Sequence, residues 1–155
     1  LVKGVAMTLT KNVRRIAAGT LAAAALGVAA ATNAHAHTTS GCTVEPLTPV
    51  YSYTQSNGVK VLNYRISVNC QSGRTAYITQ ERYEEDGWPN PDDHVGTSTF
   101  SARGVTTLDN YRTLVDTESG QEEMYQQIRF YVRSDNGVTS GWTGWHKSGV
   151  RSFYN

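Results

Sequence analysis

Four histidines, thirteen acidic residues and two cysteines are the side chains of this 155-residue chain best suited to chemistry. Glu84, Glu85, Asp86, Asp92 and Asp93 fall within ten residues, a density of carboxylates that a Ca²⁺ loop would use. Their spacing is not that of an EF-hand, and Pro89 and Pro91 divide them into two groups. The stretch therefore reads as a solvated loop or a charged patch for a partner. Trp88 at its centre is either tucked over the edge of the fold or an interface anchor. Trp142 and Trp145 are three residues apart, and a regular strand would send them to opposite faces, one to the core and one to the surface. Gly141 and Gly144 offer the alternative of a bulge that brings both indoles to one side, as a platform for a glycan or a protein.

Catalytic patterns are missing. The chain has no G-x-S-x-G elbow, no H-E-x-x-H pair and no phosphate-cradling glycine loop, and His146 follows Trp145 with no acidic residue nearby. The expectation is a protein that binds rather than one that transforms a substrate.

One set of residues has metal-ligand chemistry. Cleavage after Ala36 would make His37 the first residue of the mature chain and offer its amine and ring nitrogen together, while Asp92-Asp93-His94 supplies a D-x-H pair. Imidazole in a tetragonal N,O set suits Cu(II). The set His37, Asp92 and His94 resembles the Cu(II) site of periplasmic copper-binding β-sandwiches of the CopC type, where the mature chain also starts at histidine. That resemblance implies copper as an alternative ligand; the reading without it needs no cofactor.

The elements that position these residues begin after a leader. Lys11, Arg14 and Arg15 form a positive segment, residues 16–31 are uncharged and Ala-rich, and Ala34-His35-Ala36 has the small-x-small pattern of signal peptidase sites. The run is shorter than the ~20 residues that span a bilayer. Residues 1–36 are expected to be a signal peptide, with its start possible at Met7, and 37–155 a secreted domain with no membrane association after cleavage. Four of the fourteen basic residues and none of the thirteen acidic ones lie in the leader, so the domain carries a net charge of −3. Lys60 and Lys147 are its only lysines, which argues against nucleic-acid binding, where clustered cations meet phosphates.

All fifteen aromatic residues follow the leader, and with abundant Thr, Val and Ser they favour strands. Alternation predicts strands over 50–54, 59–70, 75–83, 97–102, 105–115 with a break near Asp109-Asn110, 123–133, 138–147 and 150–154. The stretch 84–96 is expected to be irregular, and Asp135-Asn136-Gly137 to make a type I′ hairpin. Cys42 and Cys70 form an even pair in an exported chain, hence one disulfide. Closing a loop of about 29 residues stabilises by roughly 3.6 kcal/mol in the chain-entropy model. Seven or eight short antiparallel strands of this kind make an all-β, immunoglobulin-like β-sandwich. Tyr125, near a turn, has the look of an immunoglobulin tyrosine corner.

A secreted module of this size with an N-terminal cysteine-bearing strand and a lone disulfide resembles the small adaptor subunit of bacterial umbrella toxin particles. The resemblance implies a protein partner within an extracellular antibacterial toxin complex, a short tail over 37–41 free to insert into it, and a surface built from Trp88 and its acidic loop. From the residues alone the expectation is a non-catalytic protein-binding module with two candidate surfaces, the loop with Glu84, Glu85, Asp86 and Trp88, and the Trp142/Trp145 hairpin. A protease inhibitor or a glycan-binding domain is the alternative.

Overall fold

Residues of alternating polarity cannot bury one face without pairing into sheets, and the pattern after residue 36 leaves little else to form. The computed structural model describes residues 37–87, 89–114 and 120–154. The expected leader over 1–36, Trp88 and the Glu118-Ser119 turn lie outside them. Among the described residues there are twelve strands and no helix. They are β1 His37–Thr39, β2 Cys42–Pro46, β3 Val50–Thr54, β4 Lys60–Asn63, β5 Ile66–Cys70 and β6 Arg74–Glu84. After them come β7 Asp93–Arg103, β8 Val105–Leu108, β9 Tyr111–Thr113, β10 Gln121–Ser134, β11 His146–Lys147 and β12 Arg151–Tyr154.

The all-β sandwich expected from the sequence is the fold. One layer is the sheet β11-β10-β6-β7, with β12 also on β10; the sheets β1-β2-β5-β8 and β3-β4-β9 face it, and every pairing is antiparallel. The strand expected over 59–70 is two strands in different sheets. Its apolar alternation runs on through the break, since Leu62, Tyr64, Ile66, Val68 and Cys70 are all buried. The break at Tyr64-Arg65 lies level with two others, after β2 and at Asp109-Asn110, because Leu47 N donates to Arg65 O and Tyr64 N to Asn110 O, both at 3.0 Å. Three neighbouring strands thus change sheets side by side.

Two apolar clusters fill the interior. Val44, Ile66, Val68, Ile78, Ile128 and Phe130 form one with the disulfide; Leu62, Tyr64, Leu114, Met124 and Phe153 form the other. Each fully buried aliphatic or aromatic side chain contributes about 1.5–3 kcal/mol. Between the clusters runs a polar seam that answers the strand breaks. Gln126 Nε2 donates to Leu47 O and, at 2.8 Å, to Arg65 O, while Gln80 Nε2 donates to Tyr64 O at 3.1 Å. Asn110 Nδ2 donates to Gln80 Oε1 and to Ser98 Oγ, which also accepts from Arg82 Nη1 at 2.8 Å. Carbonyls that lost their ladder partners are satisfied by amides from the opposite layer, which spares the cost of burying them unpaired.

Cys42 and Cys70 are bonded as expected, directly opposite one another on β2 and β5, so the bridge ties neighbours within one sheet. The tail over 37–41 is not free: it is β1 and a turn, with His37, Thr38 and Thr39 paired to Val44, Thr43 and Cys42. Ser40 and Gly41 both have positive φ, so the two-residue type I′ turn belongs here. At Asp135-Asn136-Gly137 only Gly137 has positive φ. Gly137 N donates to Ser134 O and Ser134 N to Val138 O, both at 2.9 Å, the pattern of a three-residue loop ending in a left-handed glycine.

Candidate functional site

β6 and β10 pair from Met124↔Glu84 to Ser134↔Arg74, the longest ladder in the fold. The two-residue period turns Tyr125, Gln127, Arg129 and Tyr131 outward on β10, opposite Tyr83, Glu81, Thr79 and Tyr77 on β6. This register makes two cross-strand tyrosine stacks. Tyr77 lies on Tyr131 at 4.9 Å with the planes 8° apart, and Tyr83 on Tyr125 at 5.2 Å and 9°. Between them Gln127 Nε2 donates to Glu81 Oε2 at 2.9 Å, and Tyr83 OH donates to the same oxygen at 2.8 Å.

The segment after β10 returns along its free edge, but not as the regular strand expected over 138–147. Ser140 N donates to Val132 O, Thr143 N to Phe130 O and Ser148 N to Gln126 O, each at 2.8 Å, while His146 pairs with Ile128. The contacts on β10 step by two residues, but those on the returning segment step by three, three and two. Each three-residue step spans a Gly-Trp pair and so carries one extra residue, as a bulge does. The hydroxyls of the same Ser and Thr residues complete the ladder by accepting from Val132 N, Phe130 N and Gln126 N. Both tryptophans therefore lie on the same side. The Arg129 guanidinium carbon stands 5.0 Å from the Trp142 ring and 4.7 Å from Trp145, and Trp142 meets Tyr131 edge-on at 4.8 Å. Arg129 Nε is buried and has no hydrogen-bond partner among the described residues, so its guanidinium is held by ring faces.

At the other end of the face Lys147 joins the two surfaces expected from the sequence. Its Nζ is 3.6 Å above the Tyr125 ring, 2.7 Å from Glu85 and 4.0 Å from Asp92. Tyr125 OH donates to Asp92 Oδ2 at 2.7 Å, and burial, with that bond second, pushes the phenol well above its ordinary range. This hydroxyl goes to a carboxylate rather than to upstream backbone, and Tyr125 lies within a long strand, so it is not a tyrosine corner.

Other residues lie elsewhere than expected. Glu84 is 2% exposed, because β6 extends through it and the two-residue period turns it inward with Arg82 and Gln80; it cannot belong to an exposed patch. The stretch expected to be irregular is shortened at both ends, since β6 runs through Glu84 and β7 starts at Asp93, absorbing an extra residue where Arg82 pairs with Gly96 and Tyr83 with His94. Gly96, at φ +150°, is required there, as a side chain would run into the Arg82 guanidinium. Asp86 is half-buried.

The proposed copper ligands are not assembled. His37 stacks on His146 at 4.3 Å, Asp92 holds Tyr125, and His94 packs edge-on against Tyr83 with its Nε2 3.0 Å from Thr97 Oγ1. Among the described residues no three His, Cys, Asp or Glu side chains gather as a metal site. Burial, then the neighbouring His37, lowers the His146 pKa below its ordinary value.

The sequence reading passed over Tyr77, Tyr83, Arg129, Tyr131 and Lys147 as site residues. Outward alternation of Tyr125, Arg129 and Tyr131 was visible, but their partners on β6 were not. Exposed Tyr51, Tyr53 and Tyr111 make no ring contact with a described residue and form no comparable packed face. No known protein family, curated protein or solved structure matches the chain.

Proposed function

We propose that this is a secreted, non-catalytic module that holds a protein partner on the outer face of the β10–β6 sheet, centred on Trp145, Arg129 and Lys147. The arrangement that carries the reading is the Arg129 guanidinium between two indoles, beside a lysine poised over Tyr125 and bonded to Glu85. Trp, Tyr and Arg supply most of the binding energy at protein interfaces. Rings already fixed by their neighbours lose little freedom when a partner arrives. Trp145 remains 37% exposed and Lys147 and Glu85 are both accessible, so these groups can re-pair with a partner's charges. The leader pattern supports export, and the resemblance to umbrella toxin adaptors supports a partner that is a larger subunit of an extracellular antibacterial complex.

The test is purification of the exported protein from culture medium, identification of what co-elutes, and reconstitution with that partner in purified form. Trp145→Ala and Lys147→Glu are each expected to weaken the reconstituted complex by about tenfold or more. A protein that is monomeric in every fraction, or a complex indifferent to both substitutions, overturns the proposal. N-terminal sequencing of the recovered protein checks cleavage before His37.

A further inference from the structure

We infer that Trp142, at the opposite end of the same face from Lys147, is the platform of a second site that takes a neutral oligosaccharide. This goes beyond the protein-binding reading: Trp142 and Arg129 belong to both, but the clefts and their hydroxyls belong to this site alone. Trp142 is 51% exposed yet fixed, edge-on to Tyr131 and against the Arg129 guanidinium. A cleft opens on each side of it. One, of about 490 Å³, is lined by Tyr77, Thr79, Thr99, Ser101, Tyr131 and Trp142 together with Ile78 and Phe100; the other, of about 500 Å³, by Tyr131, Thr139, Ser140, Gly141 and Trp142. Both volumes fall in the range of small-molecule sites.

The linings contain rings and hydroxyls and no charged side chain. Ser140 Oγ is engaged with Val132 N and Gly141 O. The hydroxyls of Thr79, Thr99, Ser101 and Thr139 make no hydrogen bond to a described residue. They are therefore ready to donate to and accept from a ligand. A pyranose presents the complementary chemistry: a C–H face that lies on an aromatic ring and a rim of hydroxyls that needs partners of both kinds. A purely apolar ligand would leave four hydroxyls unanswered, and an anionic one would find no cation in either lining. Two clefts separated by one indole fit a chain of at least two sugar units that straddles Trp142. Trp145 lines neither cleft.

The experiment uses the protein recovered after expression of the whole chain. It is mixed with insoluble chitin, cellulose, xylan, mannan and β-1,3-glucan, then titrated with soluble oligomers of any that retain it, with tryptophan fluorescence as the readout. Retention on at least one is expected. Trp142→Ala should weaken it about tenfold, and the Thr99→Val/Ser101→Ala pair by about threefold with an unchanged melting curve; Trp145→Ala should leave it within about twofold. Thr99 and Ser101 are surface residues changed to near-isosteres, so the paired variant reads the site even where Trp142→Ala misfolds. Three results overturn the inference: retention on none of the five; binding unmoved by the Thr99/Ser101 pair; or equal loss in Trp145→Ala. Loss of glycan binding with the protein complex intact separates this site from the one proposed above.

Discussion

The two ends of the outer face start from the same unit and finish differently. Each is built on a tyrosine of β10 stacked on its direct partner in β6, with nearly the same distance and angle. At one end Lys147 covers the ring of Tyr125 and Asp92 takes its hydroxyl, which leaves it 5% exposed. At the other, Trp142 and Tyr131 meet edge-to-face, and the β7 hydroxyls alongside have no hydrogen-bond partner among the described residues. The backbone register supplies a stacked pair, and the flanking segments decide whether it becomes a sealed anchor or an open groove. The binding proposed at the first end uses charges that can exchange partners; that proposed at the second uses hydroxyls with no partner among the described residues.

The largest expected consequence is in stability. Tyr125→Ala should cost about 3–4 kcal/mol in urea unfolding, as for a buried aromatic, and the half-buried Tyr131→Ala only about 1 kcal/mol. Equal costs would mean that both ends are structural. Arg129 is shared by the two ends, and Arg129→Ala should remove about 1–2 kcal/mol from two ring contacts of roughly 0.5–1 kcal/mol each. Double-mutant cycles of Arg129 with Trp142 and with Trp145 apportion that loss between the ends. Lys147→Ala is expected to cost about 0.5–1 kcal/mol, shrinking in 1 M salt because its ion pairs are solvent-accessible. Loss of binding at the Trp142 clefts in this variant would show that the ends are not separable.

The smallest effect is a pH dependence at His146, whose ring stacks on His37 of β1. His146 precedes Lys147 on β11, and its folded pKa lies below the unfolded value near 6.5. The unfolded chain therefore binds the extra proton first, so stability is full above about pH 6.5 and falls as the medium is acidified from there. His146→Gln should flatten the melting temperature between pH 7 and pH 5, and an unchanged slope would remove His146 as the cause.

Local rules recovered the layers and lost the contacts between them. The inward set Met124, Ile128, Phe130 and Val132 and the Cys42–Cys70 bridge were legible because each follows from a two-residue period and an oxidised pair. The change of sheets at Tyr64-Arg65 was not, since the inner face keeps its alternation across the break. Asn136-Gly137 suits either of two hairpin loops, and the pairing of the strands chose between them. Of the site, the clustering of both indoles was legible as one of two alternatives at Gly141 and Gly144. The tyrosine stacks join residues more than forty apart, where only the register of β10 on β6 can bring them together.

The polar seam also acts as an error check on that register. A one-residue slip of β10 would expose its apolar set, so alternation alone forbids it. A slip of two keeps every side chain on its proper face and passes that test. It would, however, carry Gln126 by about 7 Å, away from the carbonyls of Leu47 and Arg65, and leave buried polar groups unanswered at about 1–3 kcal/mol each. Even-numbered misalignments, to which a hydrophobic pattern is blind, are rejected by Gln126.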